Sequence, residues 1–169
     1  MTLLIIAAII LLVGFVAFTG APYVPSRRKD LKQAFTELYP LTANDTLVDI
    51  GSGDGVVLRT ASNYGAKAIG YEIHPVLVVL SRFLTRDDKN ITVRFKNAWR
   101  EPLPSEVTVV YAFSDSRDIR KLAARLQLEA NRLGKSFAFI SYGFAIPKTK
   151  EFKHVGACYL YHFTPLQST

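Results

Sequence analysis

The sequence predicts an α/β fold: a mostly parallel sheet with helices packed on its faces. Three observations predict it. Short apolar or β-branched runs alternate with longer amphipathic stretches between residues 27 and 142, the pattern of strands joined by crossover helices. The first run, Leu47–Ile50, stops at glycines in alternating positions, Gly51-Ser52-Gly53-Asp54-Gly55, and a segment that can be helical follows. The final apolar run, Ala157–Phe163, comes after a stretch too short for a crossover helix plus a strand, so it is expected to be antiparallel. A trimmed sheet follows, with five parallel strands and one antiparallel C-terminal strand.

The chain has 169 residues and a formal net charge of +7. Residues 3–18 are apolar or small, and no charge occurs from Thr2 through Pro25. As a helix this stretch spans roughly 24–30 Å, enough for a bilayer core. The expected organisation is a transmembrane anchor over residues 1–20 and one domain over 21–169. A signal peptide and a buried N-terminal helix are the competing readings; the missing Lys or Arg before the run disfavours the signal peptide. Arg27, Arg28 and Lys29 follow at once, which places the domain in the cytoplasm as a single-pass membrane protein, with the bilayer as a partner. The positive charge permits attraction to anionic lipid, nucleic acid or acidic protein without choosing among them. The single cysteine, Cys158, excludes an internal disulfide and a cysteine-built zinc site, and reads as a small buried hydrophobe.

Pro22 and Pro25 stiffen the connector into the domain. Ser26 is placed to cap a helix starting near Arg27, with Leu31, Ala34, Phe35 and Leu38 as its apolar stripe. Beyond the first strand and its glycine turn, Val56–Tyr64 fits the first covering helix and Gly65 ends it. Lys67–Tyr71 is a second strand closed by Glu72, and Pro75 opens the helix Val76–Arg86. Ile91–Phe95 and Val107–Phe113 are the third and fourth strands. Ile119–Leu133 is a helix with Leu122, Leu126 and Ala130 facing inward, and Ser136–Tyr142 is the fifth strand.

The glycine turn carries the chemistry. It lets backbone approach a ligand and aims free N–H groups above the sheet. Asp49 at the strand end and Asp54 in the turn argue against a tightly held pyrophosphate and for a ligand offering donors or positive charge. Glu72, at the end of the second strand, can accept from both hydroxyls of a ribose. No metal-ligand spacing, Ser-His-Asp set or P-loop occurs.

The combination Val48-Asp49-Ile50-Gly51-Ser52-Gly53-Asp54-Gly55, with Pro22-Tyr23-Val24-Pro25-Ser26 upstream and Gly70-Tyr71-Glu72-Ile73-His74-Pro75 and Ser81-Arg82 downstream, resembles class I S-adenosylmethionine-dependent methyltransferases. Within them it is similar to the membrane-anchored lysine methyltransferases of the ATP synthase c subunit and the adenine nucleotide translocase, and their short bacterial relatives. The resemblance covers roughly residues 20–165 and implies a Rossmann-like fold with S-adenosyl-L-methionine as cofactor. It also implies methyl transfer, foremost to a protein lysine amine near the membrane. The alternatives are a small-molecule or lipid acceptor, and a non-catalytic module that only binds the cofactor.

The resemblance assigns Asp49, Gly51, Ser52, Gly53, Asp54, Gly55 and Glu72 to the cofactor, with Tyr23 helping to close the pocket; Ile73 either flanks the adenine or belongs to the core. Packing of the linker is the other reading of Tyr23. In the loop after the third strand, Asn97 stands where the family usually carries Asp, so a neutral carbonyl replaces a charged acceptor for the adenine amino group. Ala98 adjoins it, and Trp99 either covers the adenine or packs the loop. After the fourth strand, Tyr111 matches the family's pattern while its proline is missing. Asp115 is expected to orient a substrate ammonium or to cap the following helix. Tyr142 and Phe144 complete the available acceptor lining. No nucleic-acid partner is expected, because the Asn/Asp-Pro-Pro-Tyr/Phe type of motif is absent after the fourth strand.

Overall fold

The computed structural model describes residues 26–166. A short helix α1 (Arg28–Gln33) runs on into a π-helical turn, Ala34–Leu38. Then follow β1 (Thr46–Ile50), α2 (Val56–Ser62), β2 (Lys67–Glu72), α3 (Pro75–Thr85), β3 (Ile91–Phe95), β4 (Val109–Phe113), α4 (Ile119–Leu133), β5 (Phe137–Tyr142), β6 (Lys153–Val155) and β7 (Cys158–Phe163). The strands form one sheet of order β3-β2-β1-β4-β5-β7-β6. The first five are parallel; β7 and β6 are antiparallel.

Alternation along the strands builds a core on each face. Leu47, Val109, Tyr111 and Ile140 pack with Leu31, Phe35 and Leu58 on the side of α1 and α2. Val48, Val110 and Phe139 pack with Leu122 and Leu126 of α4 on the other. The apolar stripe expected on α1 is buried, from Leu31 at 0 % exposure to Leu38 at 3 %. Cys158 is free and buried, its thiol pushed up to about 12 by burial.

The order reverses between β1 and β4, the switch point at which open α/β sheets leave a crevice above the carboxyl ends of their strands. The glycine turn after β1 sits at that point.

Two expectations are corrected. The sheet has seven strands rather than six, because Lys153–Val155 pairs with β7 through a turn at Gly156. The stretch is indeed too short for a crossover helix, but a hairpin strand of three residues needs no crossover. The expected N-terminal transmembrane helix is also withdrawn: among the described residues no helix is long and apolar enough to cross a membrane. A span needs about 20 apolar residues. The longest described helix, α4, has 15 and carries Arg120, Lys121, Arg125 and Arg132. Residues 1–20, to which the anchor was assigned, lie outside the described residues. With no such helix among the described residues, the anchor, the bilayer as a partner and the single-pass location facing the cytoplasm are not carried further.

Candidate functional site

The turn after β1 is sewn to β2 by backbone. Gly51 and Ser52 both donate to the Tyr71 carbonyl, at 2.9 and 3.1 Å, and Gly55 donates to Ser52. Close packing fixes its glycines. A Cβ on Gly70, in β2 beneath the turn, would stand 2.5 Å from Ser52 Oγ and 2.7 Å from Leu58 Cδ1. Gly55 has φ +80°, and a Cβ there would collide with Ser81 Oγ from α3. Ser81 and Arg82 are thereby explained as builders of the turn and sheet edge: Arg82 donates twice to the Val93 carbonyl on β3, at 3.1 and 3.0 Å.

Glu72 is 7 % exposed and serves as the hub. Its Oε2 accepts from Gly53 N at 2.8 Å, and its Oε1 accepts from Ile73 N and His74 N at 2.8 and 2.7 Å. A carboxylate offers about four acceptor positions. One therefore remains for a ribose hydroxyl, and engaging a second hydroxyl requires release of one of these three N–H groups.

Asp49 is 2 % exposed. Its Oδ2 is buried and has no hydrogen-bond partner among the described residues, and the same holds for Ser52 Oγ and Ser81 Oγ. Burial pushes the Asp49 carboxyl well above the usual carboxylate range, and the nearby Glu72 and Asp54 charges push it further. A buried, uncompensated carboxylate suits a ligand that brings a cationic or N–H-bearing group. Orphaned polar atoms at a glycine turn, beside a carboxylate with a spare lone pair, fit an adenosyl cofactor bearing an ammonium and a sulfonium.

Other expected residues are spoken for locally. The Asp54 carboxylate accepts from Val56 N at 3.0 Å and pairs with Arg59 at 3.3 Å, so it starts α2. Asn97 Oδ1 accepts from Trp99 N at 2.9 Å, which takes one of the two lone pairs of the carbonyl expected to receive the adenine amino group. Ala98 beside it is half-buried. The Trp99 ring is 40 % exposed, with Lys121 Nζ 4.9 Å from its centroid, and Ile73 is 44 % exposed. Tyr23 lies outside the described residues.

On the acceptor side, Tyr111 is buried, its hydroxyl sharing a hydrogen bond of 2.8 Å with Ser26 Oγ. Ser26 thus holds β4 instead of capping α1, whose N-cap position is Arg27. Desolvation raises the Tyr111 phenol well above its usual value. Asp115 Oδ1 accepts from the backbone of Arg117 and Asp118, and its Oδ2 takes the Arg117 guanidinium at 2.9 and 2.6 Å. The Arg117 hydrogen bond holds the Asp115 carboxyl below its usual value. This occupied carboxylate sets the turn leading to Ile119, where α4 begins. Sequence reading missed Asp30, whose Oδ2 accepts from Tyr142 Oη at 2.8 Å. In the chain it looks like any first-turn acid, and its partner is 112 residues away. A cleft of about 740 Å³ between α1, α2 and the end of α3, lined by Arg28, Arg59 and Asp88 among others, holds none of the site groups.

No family model matches the chain. It is 39 % identical over 80 residues to the ATP synthase c-subunit lysine N-methyltransferase of Xenopus laevis, covering 47 % of this chain and 29 % of that one. It is 36 % identical over 80 residues to the human enzyme of the same name, covering 47 % and 28 %. The match to the Caenorhabditis elegans enzyme is 30 % identical over 99 residues, covering 53 % and 52 %. The chain thus spans under a third of the vertebrate relatives and about half of the nematode one. Among solved structures it resembles an RNA methyltransferase from Salinibacter ruber bound to S-adenosyl-L-homocysteine, with TM-score 0.74 and 25 % identity over 86 % of this chain and 97 % of that one. A SAM-dependent methyltransferase from Aquifex aeolicus shares the fold, with TM-score 0.52 and 20 % identity over 72 % and 69 %.

Proposed function

We propose that the chain, an S-adenosylmethionine-dependent methyltransferase, methylates the ε-amine of a protein lysine, a lysine of the ATP synthase c subunit being the first candidate. The similarity to three such enzymes carries this reading. S-adenosylmethionine supplies a sulfonium methyl that an amine lone pair can displace in line. Glu72 would hold the ribose, and the glycine turn would let the cofactor lie against backbone. Asp49, buried and lacking a hydrogen-bond partner at Oδ2, would take the positive end of the methionyl moiety. The protein's remaining tasks are to desolvate the incoming side chain and to align a neutral amine.

A second reading is methylation of RNA, favoured by the match to the Salinibacter ruber enzyme over nearly all of its length and by the net charge of +7. One experiment separates them. The full chain is incubated with trideuteromethyl cofactor and either purified ATP synthase c subunit or total RNA, and the products are read by mass spectrometry. A labelled lysine in the c subunit supports the first reading; label confined to nucleosides supports the second and overturns the first.

A further inference from the structure

The carboxyl ends of β4 and β5 carry an aromatic group tied to the start of α1. Tyr142, the last residue of β5, is 8 % exposed. Its ring stacks on Tyr111 at 6.4 Å and 25° and lies 5.9 Å from Phe113, its register partner on β4. Ser26 fixes Tyr111 from one side and Asp30 fixes Tyr142 from the other. Phe113 and Phe144 are each 39 % exposed at this rim. The turn between them is built: Ser141 Oγ donates to the Phe144 carbonyl at 2.7 Å, and a Cβ on Gly143 would stand 3.2 Å from the Phe113 ring.

The hydrogen bond has a direction. The Asp30 carboxylate has no proton to give, so Tyr142 Oη donates and its lone pairs face elsewhere. A phenol oxygen accepts up to two hydrogen bonds, and the bond to Asp30 uses only its proton. Burial, followed by Asp30, raises the Tyr142 phenol above its ordinary value.

We propose that Tyr142 receives the acceptor amine by accepting one of its N–H groups, that Asp30 is the positioning residue committing the phenol proton elsewhere, and that Phe113 and Phe144 form the desolvating rim. This rests on the lysine reading above. In the transfer, the neutral amine forms its N–C bond as the methyl–sulfur bond breaks, the electron pair leaves with sulfur, and the surplus ammonium proton passes to water. An N–H held by Tyr142 keeps the nitrogen lone pair free and pointed away from the phenol, toward the cofactor side of the crevice.

The test uses the full chain with purified ATP synthase c subunit as probe. It compares wild type with Tyr142→Phe, Asp30→Ala, Asp30→Asn and the double variant Asp30→Ala/Tyr142→Phe. Tyr142→Phe and Asp30→Ala are expected to lower kcat about tenfold. Asp30→Asn, which still accepts the phenol proton, stays within about threefold. The double variant is no worse than either single one, as groups acting through one bond require. S-adenosyl-L-homocysteine affinity, measured by calorimetry, is unchanged throughout, while c-subunit affinity of the homocysteine-loaded protein falls. Unchanged kcat in Tyr142→Phe overturns the inference. So does an Asp30→Asn loss equal to that of Asp30→Ala, or a cofactor affinity that falls in step with kcat. If Asp30→Ala fails to fold, Tyr142→Phe and Asp30→Asn decide. A wild-type chain that binds the cofactor but methylates no lysine of the probe refutes the lysine reading itself, and the inference with it.

Discussion

The two halves of the crevice are assembled from contacts of different range. On the cofactor side, Glu72 binds the backbone of Ile73 and His74 next to it and of Gly53, 19 residues away. On the acceptor side, Ser26 meets Tyr111 across 85 residues and Asp30 meets Tyr142 across 112. The first half is a strand–turn–helix unit with its neighbouring strand, and it can form early and locally. The second exists only once α1 has docked on a finished sheet. Perturbing each half should therefore have different signatures: loss of ligand binding for the first, loss of rate or docking for the second.

The strongest break is Glu72→Ala. It removes the carboxylate expected to hold the ribose and strands three backbone N–H groups. S-adenosylmethionine affinity should fall at least about 100-fold, as expected where buried donors lose a charged partner. Calorimetry on the full chain measures it, and retention of wild-type affinity would remove Glu72 from the site.

Gly70→Ala comes next and acts on the same half through packing. Its Cβ would stand 2.5 Å from Ser52 Oγ and 2.7 Å from Leu58 Cδ1, so the turn must shift. Overpacking of this kind costs about 1–3 kcal/mol. The expected result is a lowered urea midpoint together with weaker cofactor binding. A stable variant with normal binding would mean that the turn tolerates displacement.

How much was readable in advance follows the same division. The glycine turn, Glu72 at a strand end and the succession of the parallel strands along the chain are encoded in consecutive residues, where apolar runs and glycines reveal them. The strand Lys153–Val155 escaped because its three residues carry no apolar alternation and owe their pairing to β7. Asn97 was legible as a candidate, but not the bond its side-chain oxygen takes from Trp99 N in its own loop; for Asp115 the helix-start reading fits, its Oδ1 accepting from the backbone of Arg117 and Asp118 and its Oδ2 from the Arg117 guanidinium. Residue type says which bonds a side chain can make, and only the finished loop decides which it makes. Asp30 escaped altogether, since a first-turn acid on a short helix has an ordinary explanation at hand.

Ser26→Ala probes the acceptor half. It leaves the buried Tyr111 hydroxyl without its 2.8 Å partner. An unsatisfied buried hydroxyl costs about 1–3 kcal/mol. Tyr111→Phe removes the same bond but leaves only the smaller Ser26 hydroxyl to satisfy, so Ser26→Ala should destabilise more than the double variant Ser26→Ala/Tyr111→Phe. Cofactor affinity should hold in all three. Equal chemical-denaturation midpoints would show that the strap over β4 is held by packing alone.

The smallest expected shift, in stability, is also the one that runs opposite to function. Asp49 is buried, and its folded carboxyl is raised above the unfolded value by desolvation first and by Glu72 and Asp54 next. A raised carboxyl favours the fold fully below the unfolded pKa, about 3.9, and that contribution is lost as pH rises through the folded value. Asp49→Asn removes the titration. At acidic pH, where Asp49 is protonated in both states, the variant should match wild type in thermal midpoint. Toward neutral and alkaline pH it should become the more stable of the two, by a margin that widens as Asp49 ionises in the folded wild type. Over the same range its cofactor affinity should fall, because the negative charge that weakens the fold is the one proposed to meet the positive end of the ligand. A midpoint difference that does not widen with pH would mean that Asp49 is not strained by its burial. The two halves of the crevice would then differ only in contact range, and not in the stability given up to build them.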